Sequence, residues 1–300
     1  MERVALSKDL YVSRLIYGLW RLGDDSDHSP KQVQAKIDAC LEQGITTFDQ
    51  ADIYGDYLSE ELLGNAIKSS PTVRDQMQII TKCDIMLLSK HYPNRKVKHY
   101  DTSAAHIQAS VDASLKKMCI DRIDLLLLHR PDPLMDHHET GTCLDALVKS
   151  GKVRAVGVSN FKRWDWDLLQ SAMTEKLVTN QIEISLNACE SFSDGSIAFL
   201  QEAGVKPMAW SPLAGGSLIP QDGSTLTGVQ LALKSMAADH RVSVDAMAVA
   251  WLLKHPATIL PILGTNNMQR INALSDAMKV TLSREDWFVL YQAALGCEVA

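Results

Sequence analysis

Ile123-Asp124-Leu125-Leu126-Leu127-Leu128 runs directly into His129-Arg130-Pro131-Asp132. The run is nearly continuous apolar sequence, without the alternation of a strand that shows one face to water. It therefore predicts a parallel strand covered on both faces. Parallel strands are joined by crossovers, so helices should flank it. One is predicted over 103–117, where Ile107, Val111 and Leu115 recur every four residues and Asp101 or Thr102 supplies the cap. The other runs over 139–148 and stops near Gly151.

The same rhythm extends outward. Further strands are predicted over 15–19, 46–49, 78–82, 155–159, 179–184, 206–210 and 258–263, and further helices over 30–42, 162–173, 193–203, 227–238, 243–254, 269–279 and 284–294. Eight βα units make a (β/α)8 TIM barrel, an α/β fold whose typical size is about 250 residues. A doubly wound sheet is the alternative. Residues 4–6 and 10–12 around Ser7-Lys8-Asp9 resemble a short N-terminal hairpin that could plug the bottom of the barrel. No Pro/Gly/Ser-rich linker divides the 300 residues, so 1–300 is read as one domain, with 213–228 a long loop inside it.

Composition narrows the function. Thirty basic against 36 acidic residues give a net charge of −6, which offers no general attraction for nucleic acid or anionic membrane. No apolar run is long enough to span a bilayer. The N-terminus lacks the apolar core of a secretory signal, and the six cysteines form no CxxC pair. A cytoplasmic enzyme with reduced thiols follows as the expectation. Neither GxGxxG nor GxxxxGK[ST] occurs, so a nucleotide would need another kind of cradle.

Polar residues gather where the strands end. Asp49 closes 46–49 and Tyr54 follows; Lys82 closes 78–82; His129 follows 123–128. In a barrel the C-terminal strand ends face one mouth. Taken singly, a strand-end Asp caps a helix, a Lys is solvated, a Tyr packs with its hydroxyl wet and a His is a loop residue. Together they make a proton-donating site. Asp49 keeps a buried Lys82 charged, the ammonium lowers the pKa of Tyr54, and Tyr54 protonates a developing alkoxide, with a neutral His129 orienting the carbonyl oxygen.

Several stretches resemble the aldo-keto reductases in one register across most of the chain: Phe48 to Gly55 (FDQADIYG), Ser59 to Gly64 (SEELLG), 124–132 (DLLLLHRPD), 151–161 (GKVRAVGVSNF), 209–216 (AWSPLAGG) and 261–265 (PILGT). The chain looks like a compact bacterial member. The resemblance implies the barrel, NADPH bound without a Rossmann fold (NADH being possible), and a catalytic tetrad at Asp49, Tyr54, Lys82 and His129. It also implies Ser159, Asn160 and Gln181 on the nicotinamide carboxamide and Trp210 stacked on the ring. Ser211, Leu213, Gly215, Gly216 and Ser217 would lie along the pyrophosphate. Gly264, Thr265, Asn266 and Arg270 would surround the 2′-phosphate, and Gly18 and Trp20 complete the cofactor set. Two departures stand out. Gln50 replaces a small Ser or Thr, read as changing little, and Ala273-Leu274 stand where many members carry Glu-Asn, leaving Arg270 nearly alone.

Trp20, Tyr57 and Met86 are the candidate substrate residues. Only 296–300 lie beyond the last helix, so an open pocket with broad, weak specificity for aldehydes, α-dicarbonyls or quinones is expected. The basic loop 83–100 is read as solvated, His137-His138 as a loop rather than a metal pair, and Cys83 as buried under a helix. No metal is expected. The partner is a small-molecule carbonyl substrate, the chain a monomer or weak homo-oligomer. The alternative function is a cofactor-sensing subunit with secondary turnover.

Overall fold

In the computed structural model, which describes residues 1–220, 223 and 225–300, all eight strands form. They are β1 (Ile16–Gly18), β2 (Thr47–Asp49), β3 (Gln78–Cys83), β4 (Ile123–Leu128), β5 (Val153–Ser159), β6 (Leu177–Glu183), β7 (Met208–Trp210) and β8 (Leu260–Leu263). Their hydrogen-bonded order is sequential and closes on itself. This is the expected (β/α)8 barrel, and closure excludes the doubly wound sheet, whose edges stay open. The chain forms two compact units, Met1–Asn180 with Gly264–Ile271, and Gln181–Leu263 with Asn272–Ala300.

In the first unit β1 to β5 pair in parallel, with Gly18 opposite Asp49, Asp49 opposite Ile80, and Cys83 opposite Leu128. Every residue of β4 is buried, as its unbroken apolar run requires. Helices α1 (Pro30–Glu42), α2 (Ser59–Ser69), α3 (Ala104–Met118), α4 (His137–Lys149) and α5 (Arg163–Ser171) follow the strands. The α3 cap is Ser103, whose hydroxyl accepts the His106 N–H, rather than Asp101 or Thr102. Asp101 instead accepts the Ser103 N–H, and the Thr102 hydroxyl donates to Asp132. Asp136 caps α4, so His137 and His138 open a helix instead of lying in a loop. Helices α2 and α3 meet at Gly64, where a Cβ would lie 1.9 Å from the Lys117 carbonyl oxygen, a contact no other residue type allows.

The N-terminal hairpin pairs Arg3–Ala5 with Tyr11–Ser13. The Ser13 hydroxyl accepts the N–H groups of Thr46 and Thr47 where β2 begins, and Arg154 near the start of β5 donates to the Asp9 carbonyl. The hairpin thus lies at the N-terminal ends of these strands, leaving their C-terminal ends clear.

In the second unit β6 to β8 pair in parallel, Gln181 opposite Met208 and Met208 opposite Leu260. Helices α6 (Ser196–Glu202), α7 (Gly228–His240), α8 (Val244–Leu253) and α9 (Arg284–Leu295) belong to it. The rings of Trp251 and Trp287 stack at 5.0 Å, and each indole N–H donates to the other residue's carbonyl, fastening α8 to α9. The helix expected over 269–279 is two pieces, Met268–Ile271 and a 3-10 turn Leu274–Lys279, because Ala273 (φ −109°, ψ 3°) leaves the helical region. Among the described residues no helix is long and apolar enough to cross a membrane.

Candidate active site

Asp49, Tyr54, Lys82 and His129 meet at the C-terminal ends of β2, β3 and β4. The Lys82 ammonium is fully buried and donates to both Asp49 oxygens, at 2.8 and 2.7 Å, to the Gln50 carbonyl at 2.8 Å and to the Tyr54 hydroxyl oxygen at 3.1 Å. An ammonium has only donors. Tyr54 therefore accepts from Lys82 and keeps its own O–H hydrogen for another partner. The turn that presents Tyr54 is tight, with Gly55, Asp56 and Tyr57 all in the left-handed region at φ 60°, 53° and 72°.

Burial pulls the Lys82 pKa down more than any one partner raises it, but Asp49 and Tyr54 together outweigh burial and the lysine pKa is raised. Tyr54 departs from the sequence expectation. Burial of its hydroxyl pushes its pKa up, Lys82 pulls it down, and burial wins, so the group is a protonated phenol throughout the neutral range. His129 is held well below its ordinary pKa by burial first, then by the charges of Lys82, Arg130 and Lys98. It is a neutral imidazole. Its ring meets Tyr54 edge-on with centroids 6.0 Å apart, and its buried Nδ1 has no hydrogen-bond partner among the described residues.

Three further buried residues have structural roles that the sequence reading did not assign. Gln50 is fully buried; besides its carbonyl bond to Lys82, its side chain donates to the Ser59 carbonyl at the start of α2. It is a part of the site's frame rather than a neutral replacement. Asp84, in the left-handed region at φ 96°, accepts the Arg130 N–H at 3.1 Å and so fixes the peptide next to His129. Lys36 lies buried on α1, where its i+3 and i+4 spacing to the apolar Val33 and Cys40 was a legible signal.

The cofactor candidates are spread over both units. In the first, Ser159 ends β5, and Asn160 (φ 61°) donates through Nδ2 to Ser159 Oγ at 2.8 Å and to the His129 carbonyl at 3.3 Å. Gly18 ends β1, and its carbonyl lies 3.1 Å from where a Cβ on Gly264 would sit. Thr265 accepts the Tyr17 hydroxyl at 2.7 Å, Asn266 is bonded through its side chain to Lys36 and Arg21, and Arg270 is exposed. In the second unit Gln181 is buried on β6 and Trp210 ends β7. Ser211 Oγ accepts the Gly215 N–H, Leu213 the Gly216 N–H and Ala214 the Ser217 N–H. These N–H groups close their own turn. Gly215 and Gly216 (φ 68° and 104°) serve that turn, and a Cβ on either would meet nothing within 4 Å. An exposed guanidinium at Arg270 beside the exposed backbone of Gly264 suits the phosphate of a nicotinamide dinucleotide.

Of the substrate candidates, Trp20 follows β1 but is 59% exposed, with Arg21 over its ring. Met86 is half-buried. The Tyr57 hydroxyl serves the neighbouring loop, accepting from Arg95 at 2.5 Å and from the Leu87 N–H at 3.1 Å. The basic loop is thus only partly a solvated one. Lys90, His91, Lys96 and Lys98 are exposed, but Arg95 lies 3.7 Å over the Tyr92 ring. Cys83 is fully buried and its thiol is pushed well above the usual range by desolvation, as expected of an inert core cysteine. Among the described residues no three His, Cys, Asp or Glu side chains are placed to hold a metal ion.

Comparison with known proteins identifies the family. The profile of the Aldo/keto reductase family matches residues 14–293. The chain is 56% identical, over the full length of both, to an Agrobacterium fabrum protein named 6-dehydroglucose reductase. It is 44% identical, again over the full length of both, to an uncharacterized oxidoreductase of Bacillus subtilis. A crystal structure of a Klebsiella pneumoniae aldo/keto reductase in complex with NADP and acetate superposes with a TM-score of 0.75 at 24% identity, covering 93% of this chain and 90% of that one.

Proposed function

This chain belongs to the aldo/keto reductase family, and from that premise we propose that it reduces an aldehyde or ketone with NADPH, Tyr54 delivering the proton. The observation that carries the reading is the Lys82 ammonium bonded at once to Asp49 and to the Tyr54 oxygen. When bound, the reduced nicotinamide supplies the hydride. The protein's residues do the rest. His129, neutral and buried, hydrogen-bonds the substrate oxygen and holds the carbonyl beside Tyr54. As negative charge grows on that oxygen, Tyr54 gives up its O–H proton. The adjacent Lys82 ammonium stabilises the phenolate left behind, and Asp49 keeps that buried ammonium charged. The carbonyl thereby gains one hydride and one proton and becomes an alcohol.

Ser159 and Asn160 are the residues of the first unit we assign to the nicotinamide. We assign Arg270 and Gly264 to the 2′-phosphate, and read the whole of 1–300 as one catalytic domain. For substrate we infer a sugar-derived aldehyde, on the strength of the 56% identity to the protein named 6-dehydroglucose reductase. That narrows the expected broad, weak specificity, and it fits a Tyr57 committed to its loop and a Trp20 largely in solvent. Catalysis, rather than cofactor sensing, is the role, and the cofactor-sensing alternative has no support among the relatives. The test is Tyr54→Phe, which removes one hydroxyl from a ring that otherwise packs unchanged. It should lower kcat for 6-dehydroglucose reduction by roughly 10²- to 10⁴-fold with NADPH binding intact. Near-wild-type turnover would refute the assignment, and a flat response across a panel of unrelated aldehydes would refute the sugar reading alone.

A further inference from the structure

Lys36 sits on the buried face of α1 with no solvent exposure. Its ammonium pairs with Asp25 and donates to Asn266 Oδ1 at 3.1 Å. The other end of the same amide, Asn266 Nδ2, donates to the Arg21 carbonyl at 2.5 Å. Both ends of the Asn266 side chain are therefore engaged within the protein, and it acts as a strut rather than as a ligand for phosphate. The strut continues along the turn. Asn267 N–H donates to Thr265 Oγ1 at 3.2 Å, and Arg270 N–H donates to Asn267 Oδ1 at 3.0 Å. At the end of this series stands the exposed guanidinium of Arg270.

A buried ammonium is unfavourable unless paired, and an apolar side chain fills such a position at less cost. Lys36 needs a reason to be there, and the reason lies in what it joins: the loop after β1, helix α1 and the turn 264–270. A cation selects a phosphorylated ligand only when it is already where the phosphate arrives. A guanidinium on a loose turn loses much of its attraction to the entropy of being fixed, while one on a held turn does not. An unphosphorylated nucleotide has no 2′-phosphate to meet that guanidinium, so it gains less from the turn's order.

We propose that the buried Lys36, paired with the half-buried Asp25 and acting through Asn266, holds the Gly264–Arg270 turn in place and so sets the preference for NADPH over NADH. Lys36 and Asp25 are positioning residues that touch no cofactor atom. The proposal rests on the NADPH reading above, so the experiment separates the two. Calorimetric titration of NADPH and NADH into wild type, Lys36→Met, Arg270→Ala and the double variant measures binding without turnover. Wild type should prefer NADPH. Lys36→Met should weaken NADPH by roughly tenfold and leave NADH within about twofold. In the Arg270→Ala background the same change should add nothing further, because its effect passes through that arginine. Equal loss for both nucleotides, full additivity in the double variant, or unchanged NADPH affinity overturns the clamp while leaving the function standing. Wild type that binds neither nucleotide overturns both. If Lys36→Met does not accumulate as folded protein, Asp25→Asn, which leaves Lys36 an acceptor but no counter-charge, is judged by the same ratio and the same outcomes.

Discussion

Asp49 ends β2 and Asp52 follows it; both are buried, but only Asp49 has a cation in hydrogen-bond contact, Lys117 acting on Asp52 from farther away. Asp49 holds the Lys82 ammonium with both oxygens. Asp52 Oδ2 accepts the Ser110 hydroxyl at 2.9 Å, and its buried Oδ1 has no hydrogen-bond partner among the described residues. Desolvation, with Glu60 nearby, pushes the Asp52 carboxyl up to about 7. Equal burial has thus produced a paired carboxylate in one place and a carboxylic acid poised at neutrality in the other. A carboxyl at depth becomes useful for charge chemistry only when a counter-ion is built beside it; otherwise it is a proton store with a stability cost.

The largest effect comes from making Asp49 resemble Asp52. Lys82→Met removes the counter-ion and leaves a buried charge alone. It should destabilise the fold by about 3–5 kcal/mol. Reduction should fall by at least about 10²-fold, since Tyr54 loses the charge that receives its proton loss. Urea unfolding and single-turnover reduction check both. A variant as stable as wild type would mean that the two sites do not differ through their cation.

The converse experiment relieves Asp52. Its folded pKa, near 7, lies above the ordinary carboxylate value, so the acid form stabilises the fold. That contribution is fully present below the ordinary value near ~4 and is lost as pH rises through about 7. Asp52→Asn cannot titrate. Relative to wild type it should gain about 2–4 kcal/mol between pH 5 and pH 8.5, Glu60 sharing some of the difference. Parallel stability curves for the two proteins over that range would show that Asp52 stays in one protonation state.

The contrast also explains what the sequence could and could not disclose. The strands and the quartet were legible because each polar residue interrupts an apolar run at a strand end, where burial makes it conspicuous. Gln50 escaped because its bond to Lys82 comes from a backbone carbonyl, which every residue type has. The α3 cap escaped because Asp101, Thr102 and Ser103 are all capable of capping. Only the contact of Thr102 with Asp132, distant in sequence, decides which one does. Tyr54 was assigned the right partner and the wrong net shift, since a neighbouring cation can be read from residue types while the depth of a hydroxyl cannot.

The smallest effect tests how well a hydroxyl substitutes for an ammonium. Ser110→Ala removes the one side-chain donor bonded to Asp52 Oδ2. At pH 5 Asp52 is a neutral acid and the lost bond is an ordinary one, worth about 1 kcal/mol. At pH 8.5 the group is a carboxylate and the bond is charge-assisted, worth about 2 kcal/mol. The cost of Ser110→Ala should therefore grow with pH, through the interval in which Asp52 ionises, by about 1 kcal/mol. In an Asp52→Asn background that growth should vanish, because nothing there titrates. A cost that is the same at both pH values in the wild-type background would mean that Ser110 serves packing alone, and that the proton at Asp52 is held by the cavity and not by the bond.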